Sequence, residues 1–207
     1  MTLQTTGLSN QEIMMKTNTA RNMYQFRYKA SEMRAKGFRA GKLFGLGYKV
    51  TQASSTFYMS DFSVYIANIS PTTSLSGSNP YSGNLQQVYG PSLLAAPSLG
   101  EHSLDFNDYF IWDGESDILI KICWDNGTNN TTGGTTKIES IVAPTGYLTG
   151  QMYSIIGFTS ACTSPFNTAD GQIGFRPNFK FIFKKDCTLK FDAGVNDIIV
   201  NPSSMIV

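Results

Sequence analysis

Five carboxylates crowd one stretch of the chain: Asp105, Asp108, Asp113, Glu115 and Asp117. Hard cations such as calcium seek several oxygens at once, so Asp105, Asp113, Glu115 and Asp117 are the candidate ligands of a structural calcium. The central DGESD lacks the glycine and distal glutamate of a helix-loop-helix calcium loop. The competing account is a solvated turn, in which Asp113 and Gly114 shape the chain, Trp112 packs beneath it and Asp117 bonds nearby backbone amides. A glycosidase would need two carboxylates about 5 to 9.5 Å apart across a cleft. The single histidine, His102, precedes Asp105 by three positions and is the place where a Ser-His-Asp triad would have to be built. No G-x-S-x-G elbow or H-E-x-x-H helix occurs, and the G-x-G of FGLGYK runs into a strand rather than a phosphate-binding helix. No catalytic set is expected, and no cofactor beyond that calcium.

Other residues offer binding rather than reaction. Tyr81, Tyr89, Tyr109, Tyr147 and Tyr153 stand near expected loops, where an exposed ring can stack on a sugar face, against the plainer account of core or rim packing. Arg176, before Pro177, reads as a structural arginine whose fork bonds carbonyls or an acid. Cys123, Cys162 and Cys187 permit three single disulfides. The preferred pair is Cys123 with Cys162, the first in a core-like strand and the second in the loop-like SACTSPFN, while free buried thiols remain open as the alternative. A zinc site is disfavoured, since no C-x-x-C occurs.

The elements that must position these residues are strands. In DILIKICWD, Ile118, Ile120, Ile122 and Trp124 share one face, and Leu119, Lys121 and Cys123 the other. Tyr24, Phe26 and Tyr28 alternate with Gln25, Arg27 and Lys29 as in a half-buried strand; Phe62, Val64 and Ile66 do the same in the next. Phe44, Leu46, Tyr48 and Val50 are expected on one face of KLFGLGYKVTQ, with Gly45 and Gly47 on the other marking close approach or a bulge. LQQVYG, HSLDF and YFIW read as three short strands, and KIESIV and GQMYSI as weaker ones. In NFKFIFKK, Phe179, Phe181 and Phe183 oppose Lys180 and Lys184. KLFGLGYKV, IKICW and NFKFIF are expected at the centre of a two-sheet stack. The one helical segment runs over 31–37, ended by a glycine suited to the left-handed conformation. Polar connections span 70–84 and 125–136.

With 207 residues, 19 Gly, 14 Phe, 10 Tyr and only 15% charged residues, the chain fits one all-β unit, since sandwiches of about 200 to 250 residues are common. The fold class is an all-β, two-sheet antiparallel β-sandwich with one short helix. Residues 1–20 form an arm or edge strand, with Ile13, Met14 and Met15 able to cap the core; 21–192 form the sandwich, and 193–207 a strand or linker toward a following domain. The 16 basic and 15 acidic residues lack long runs, which disfavours nucleic acid and anionic membranes as partners. No apolar run approaches the ~20 residues of a membrane-spanning helix. MTLQTTGLSNQ is not a secretory signal as it stands, and the strand-like Ile198, Ile199 and Val200 point to a polypeptide that continues. Asn-x-Ser/Thr matches begin at Asn68, Asn126, Asn129 and Asn130 and are read as incidental.

Taken in order, YKASEMRAKGFRAGKLFGLGYKV, FIWDGESDILIKICWDN, FRPNFKF and DAGVNDIIVNP resemble a domain that recurs in large secreted and cell-surface proteins of the Bacteroidota. Many of those proteins use the type IX secretion route, and some are gliding or attachment adhesins. The matching positions are Ser31, Glu32, Gly37, Gly41, Trp112, Asp113, Gly114, Cys123, Asn126, Arg176, Pro177 and Asn178, across roughly residues 24 to 200. The departures are Asp117, where the family usually has Asn, and Lys121 and Trp124, where it has Glu and Phe. The resemblance implies a jelly-roll-like sandwich without an established reaction, followed by an immunoglobulin-like repeat.

The expectation is therefore a non-catalytic extracellular or cell-surface module of an adhesin. It would present loops for attachment or space the other domains of the same polypeptide, with a surface polysaccharide or protein as ligand. The alternative is an accessory carbohydrate-binding module of a secreted hydrolase.

Overall fold

The structure, a computed structural model, describes residues 8–11, 14–15, 20–55, 58–73, 75, 80–127, 136–142, 150–154, 162 and 171–183. The expected strand residues 198–200, the C-terminal segment 193–207, Tyr147, Cys187, Lys184, Ile13 and most of the 125–136 connection lie outside them, as do the side chains of 150–154 and 171–173. The chain forms an all-β sandwich of two antiparallel sheets.

The strands run in chain order as β1 (Leu8–Gln11), β2 (Arg21–Tyr28), β3 (Gly41–Gln52), β4 (Tyr58–Ile69), β5 (Gln86–Ala95), β6 (Gly100–Trp112), β7 (Asp117–Asp125), β8 (Lys137–Val142), β9 (Gly150–Ser154), β10 (Gly171–Ile173), β11 (Phe175–Pro177) and β12 (Lys180–Phe183), with the helix α1 (Ala30–Ala35) after β2. The first sheet is built on β3, flanked by β6 on one edge and by β12 and β8 on the other, with β1 and β11 against β8. The second runs β10-β9-β2-β7-β4-β5. IKICW is thus central in its sheet and KLFGLGYKV in the other. NFKFIF instead pairs β3 alone among the described residues.

The core follows the alternation. Ile118, Ile120, Ile122 and Trp124 of β7, Tyr24, Phe26 and Tyr28 of β2, and Phe62, Val64 and Ile66 of β4 all enter one cluster with Leu46, Tyr48, Val50, Phe179 and Phe181 of the facing sheet. Burying each such side chain is worth roughly 1.5 to 3 kcal/mol. Met14 and Met15 join the same cluster, and β1 pairs with β8 as an edge strand. In β3 the inward residue near the start is Leu43 rather than the expected Phe44. The register of β3 on β6 shifts between Leu43 and Gly45, and this irregularity turns Phe44 outward. A Cβ on Gly45 would meet the Leu104 carbonyl oxygen at 2.8 Å, which is why that position has none.

Two further expectations are corrected. HSLDF and YFIW are parts of the single 13-residue strand β6 rather than separate strands. And β2 is buried on both faces, with Gln25 0% and Arg27 7% exposed, because the described residues of 70–85, among them Pro71, Thr73, Leu75 and Tyr81, lie over the outside of the second sheet. Ala67, Ile69, Leu75 and Leu119, with Tyr81 and Leu85, make a satellite core there.

The helix starts one residue earlier than expected. The Glu32 carboxylate accepts from the Lys29 amide, satisfying one donor at the N-terminus. At the other end Phe38 N donates to Met33 O and Gly37 N to Arg34 O, with Gly37 at φ +86°. That closure requires a left-handed residue, the conformation glycine adopts without steric cost.

Candidate functional site

The acidic stretch resolves into separate structural roles. Asp113 Oδ1 accepts from Glu115 N at 2.8 Å and Ser116 N at 2.7 Å, and Oδ2 accepts the Ser116 hydroxyl. Gly114, at φ +82°, lies against Ala40. Trp112, fully buried, donates its indole N–H to Ser116 O, and Arg34 ties the turn to α1 through Gly114 O. Slight burial acts to raise the Asp113 pKa, but the hydrogen bonds from Ser116 and Glu115 outweigh it, and the net direction is down.

Asp117 belongs to a different, buried arrangement. Its Oδ2 pairs with the Arg27 guanidinium and its Oδ1 accepts from Ala30 N at 2.9 Å. Arg27 also donates to the carbonyls of Thr73 and Pro71, pinning the 70–85 segment, while Gln25 exchanges hydrogen bonds with the backbone of Tyr81. Asp105 sits in the middle of β6 opposite Gly45, eight residues or roughly 26 Å of strand from Asp113. Among the described residues no three His, Cys, Asp or Glu side chains converge to hold an ion. The four candidate calcium ligands are thus not brought together.

The Arg-Pro-Asn motif closes the same corner. Arg176 donates to Arg27 O at 2.8 Å, pairs with Glu32 at 3.0 Å and stacks 4.7 Å over the Tyr28 ring, whose hydroxyl donates to Pro177 O. Burial drives the Tyr28 pKa upward, partly opposed by the Arg176 charge. Asn178 Nδ2 donates to Glu139. Motif pieces distant in sequence therefore meet where β2 passes into α1. Sequence reasoning missed Arg27 as the hub; the signal was an arginine on the face of β2 opposite three aromatic rings. Asn126 is a further bracket: its side chain accepts from Ser60 N and donates to Tyr58 O.

His102 and Asp105 form no dyad. Odd separation on a strand puts them on opposite faces, and His102 stacks on Tyr48 with Nε2 2.7 Å from Ser98 O. The Tyr48 phenol is pushed up to about 12 by burial and then by Tyr89.

Cys123 and Cys162 are disulfide-bonded, 39 residues apart, with Cα atoms 5.5 Å from each other. Beside them Lys121 donates to Cys162 O at 2.6 Å and lies 5.0 Å over the Tyr65 ring; burial holds its pKa down.

The three candidate tyrosines whose side chains are described do not gather. Tyr81 packs into the satellite core and Tyr89 sits edge-on to Phe62. Tyr109 faces outward from the first sheet at 39% exposure, beside Phe44, with Lys42 Nζ 4.7 Å over its ring and Ile111 exposed nearby on the strand. No family model, curated protein or solved structure matches the chain.

Proposed function

We propose that the chain is a non-catalytic extracellular module of a secreted or surface-anchored adhesin, which presents loops for attachment or spaces neighbouring repeats. The observation that carries this reading is the use of the charged side chains in the acidic turn and at the corner where β2 passes into α1. Asp113, Asp117, Arg27 and Arg176 hold turns, a helix start and strand ends, which makes them framework groups rather than reacting ones. The Cys123–Cys162 disulfide supports an oxidising compartment, in line with the resemblance to Bacteroidota surface domains. A structural calcium would have to recruit the turn acids away from their present hydrogen bonds.

The test is attachment. Beads coated with the purified chain should resist shear on polysaccharide-coated or bacterial-envelope surfaces better than beads coated with heat-unfolded chain. Turnover of glycoside or ester substrates that disappears in His102→Ala or Asp105→Asn would overturn the reading. The second reading, an accessory carbohydrate-binding module, is favoured by the outward Tyr109 ring, which suits stacking on a sugar.

A further inference from the structure

Beside the C-terminal part of β6, where the second sheet's β4 and β5 approach it, lies a shallow cleft lined by Ile66, Asn68, Asn84, Leu85, Gln86 and Phe110. Ile66 and Phe110, at 0% and 5% exposure, back it from the core, and the half-buried Leu85 presents its accessible apolar surface. Three primary amides surround this apolar floor, and among the described residues that line it none is ionisable, the Asp108 carboxylate standing just behind Gln86. Asn68 Nδ2 donates to Ile111 O at 3.0 Å, and Gln86 Nε2 donates to Tyr109 O at 2.9 Å, with Asp108 Oδ2 3.4 Å away.

Each of these amide nitrogens is thus held by the backbone of β6, which fixes the amide plane. Asn68 Oδ1 and Gln86 Oε1 are left as acceptors with no partner among the described residues, and the Asn84 amide is free to donate and accept. Oriented neutral acceptors over an apolar floor match a ligand that carries both hydroxyls and C–H faces. The Asp108 carboxylate beside Gln86 disfavours anions, and the neutral lining gives a cation no charged ligand set.

We propose that this cleft binds a neutral sugar residue of a polysaccharide. Its hydroxyls donate to Asn68 Oδ1 and Gln86 Oε1, Asn84 completes the polar contacts, and a C–H face rests on Leu85. The proposal rests on the reading of the chain as a non-catalytic attachment module and supplies the ligand class.

The experiment is affinity electrophoresis of the full chain in gels containing dextran, laminarin or mannan, with alginate as the anionic comparison. At least one neutral polysaccharide should retard the wild type. Asn84→Ala, which removes no internal hydrogen bond, should weaken that binding about five- to tenfold. Leu85→Glu, which puts a carboxylate over the floor, should abolish it, while His102→Ala should not alter it. Melting temperatures of the variants establish that each is folded. Retardation by alginate alone, or undiminished binding by both cleft variants, would overturn the proposal. Loss confined to Tyr109→Ala would overturn the cleft but keep the carbohydrate-binding reading. Bead attachment without retardation by any polysaccharide would overturn the cleft and keep the attachment reading.

Discussion

The outer faces of the two sheets have had opposite fates. On the second sheet, Gln25 and Arg27 of β2 and Leu119 and Cys123 of β7 are all buried, roofed by the 70–85 segment and the disulfide to Cys162. On the first sheet, Glu101, Ser103, Asp105, Tyr109 and Ile111 of β6 stand in solvent. Both faces read as polar-alternating strands, so the alternation reveals which residues share a face but not what later covers it. The difference comes from one arginine with acceptors on three sides. Arg27 has Asp117 in its own sheet and two carbonyls of the overlying segment, so its burial is compensated.

The largest expected effect breaks that compensation. Asp117→Ala leaves the Arg27 guanidinium buried without its carboxylate and the Ala30 amide without an acceptor. Urea unfolding should show a loss of about 4 kcal/mol, with the 70–85 segment becoming protease-sensitive. If stability falls by under about 1 kcal/mol, the roof is not held by this pair.

Cutting the other fastening comes next. Cys162→Ser removes a cross-link over 39 residues and should cost just under about 4 kcal/mol in the chain-entropy account, read as a lower denaturation midpoint equal to that of the reduced wild type. An effect of reductant on Cys162→Ser itself would mean that a different pair carries the link.

Asp113→Ala tests the turn between the sheets, where about 1 kcal/mol is expected from lost amide and hydroxyl bonds. The sign with pH is defined. The folded carboxyl is more acidic than its ordinary 3.8, so its stabilisation is complete above that value and is lost as pH falls through the folded pKa. Acid titration of stability should therefore converge for wild type and variant at low pH. Smallest of all, Ile111→Thr on the open face should change stability by less than about 0.5 kcal/mol, since Ile111 is 57% exposed. A larger loss would mean that this face is covered too.

These contrasts mark how far the sequence can be read. The inward faces of β2, β4 and β7 were legible because each repeats large apolar residues at every second position. The pairing of Cys123 with Cys162 was the preferred one of three and is the one in the structure. The turn role of Asp113, Gly114 and Trp112 was also weighed, because a short acid before glycine bonds its own following amides. Phe44 was misplaced because one extra residue in β3 reverses the faces upstream of it; Gly45 and Gly47 marked a bulge or close approach in this strand, but not which residue it displaces. The union of HSLDF and YFIW was hidden by Asn107 and Asp108, poor strand formers that here sit exposed on a strand already fixed by β3. Arg27 stood out as an arginine opposite three rings, but its role as a hub was illegible, because its partners come from three remote segments.

The two amides that hold the end of β6 carry one more consequence. A strand edge with vacant carbonyls invites another chain to add a strand, which is how sheet proteins begin to aggregate. Asn68 and Gln86 occupy Ile111 O and Tyr109 O from the side, with groups that cannot extend a ladder. This stretch of β6, the longest strand among the described residues, is thereby closed to strand addition by another copy of the chain.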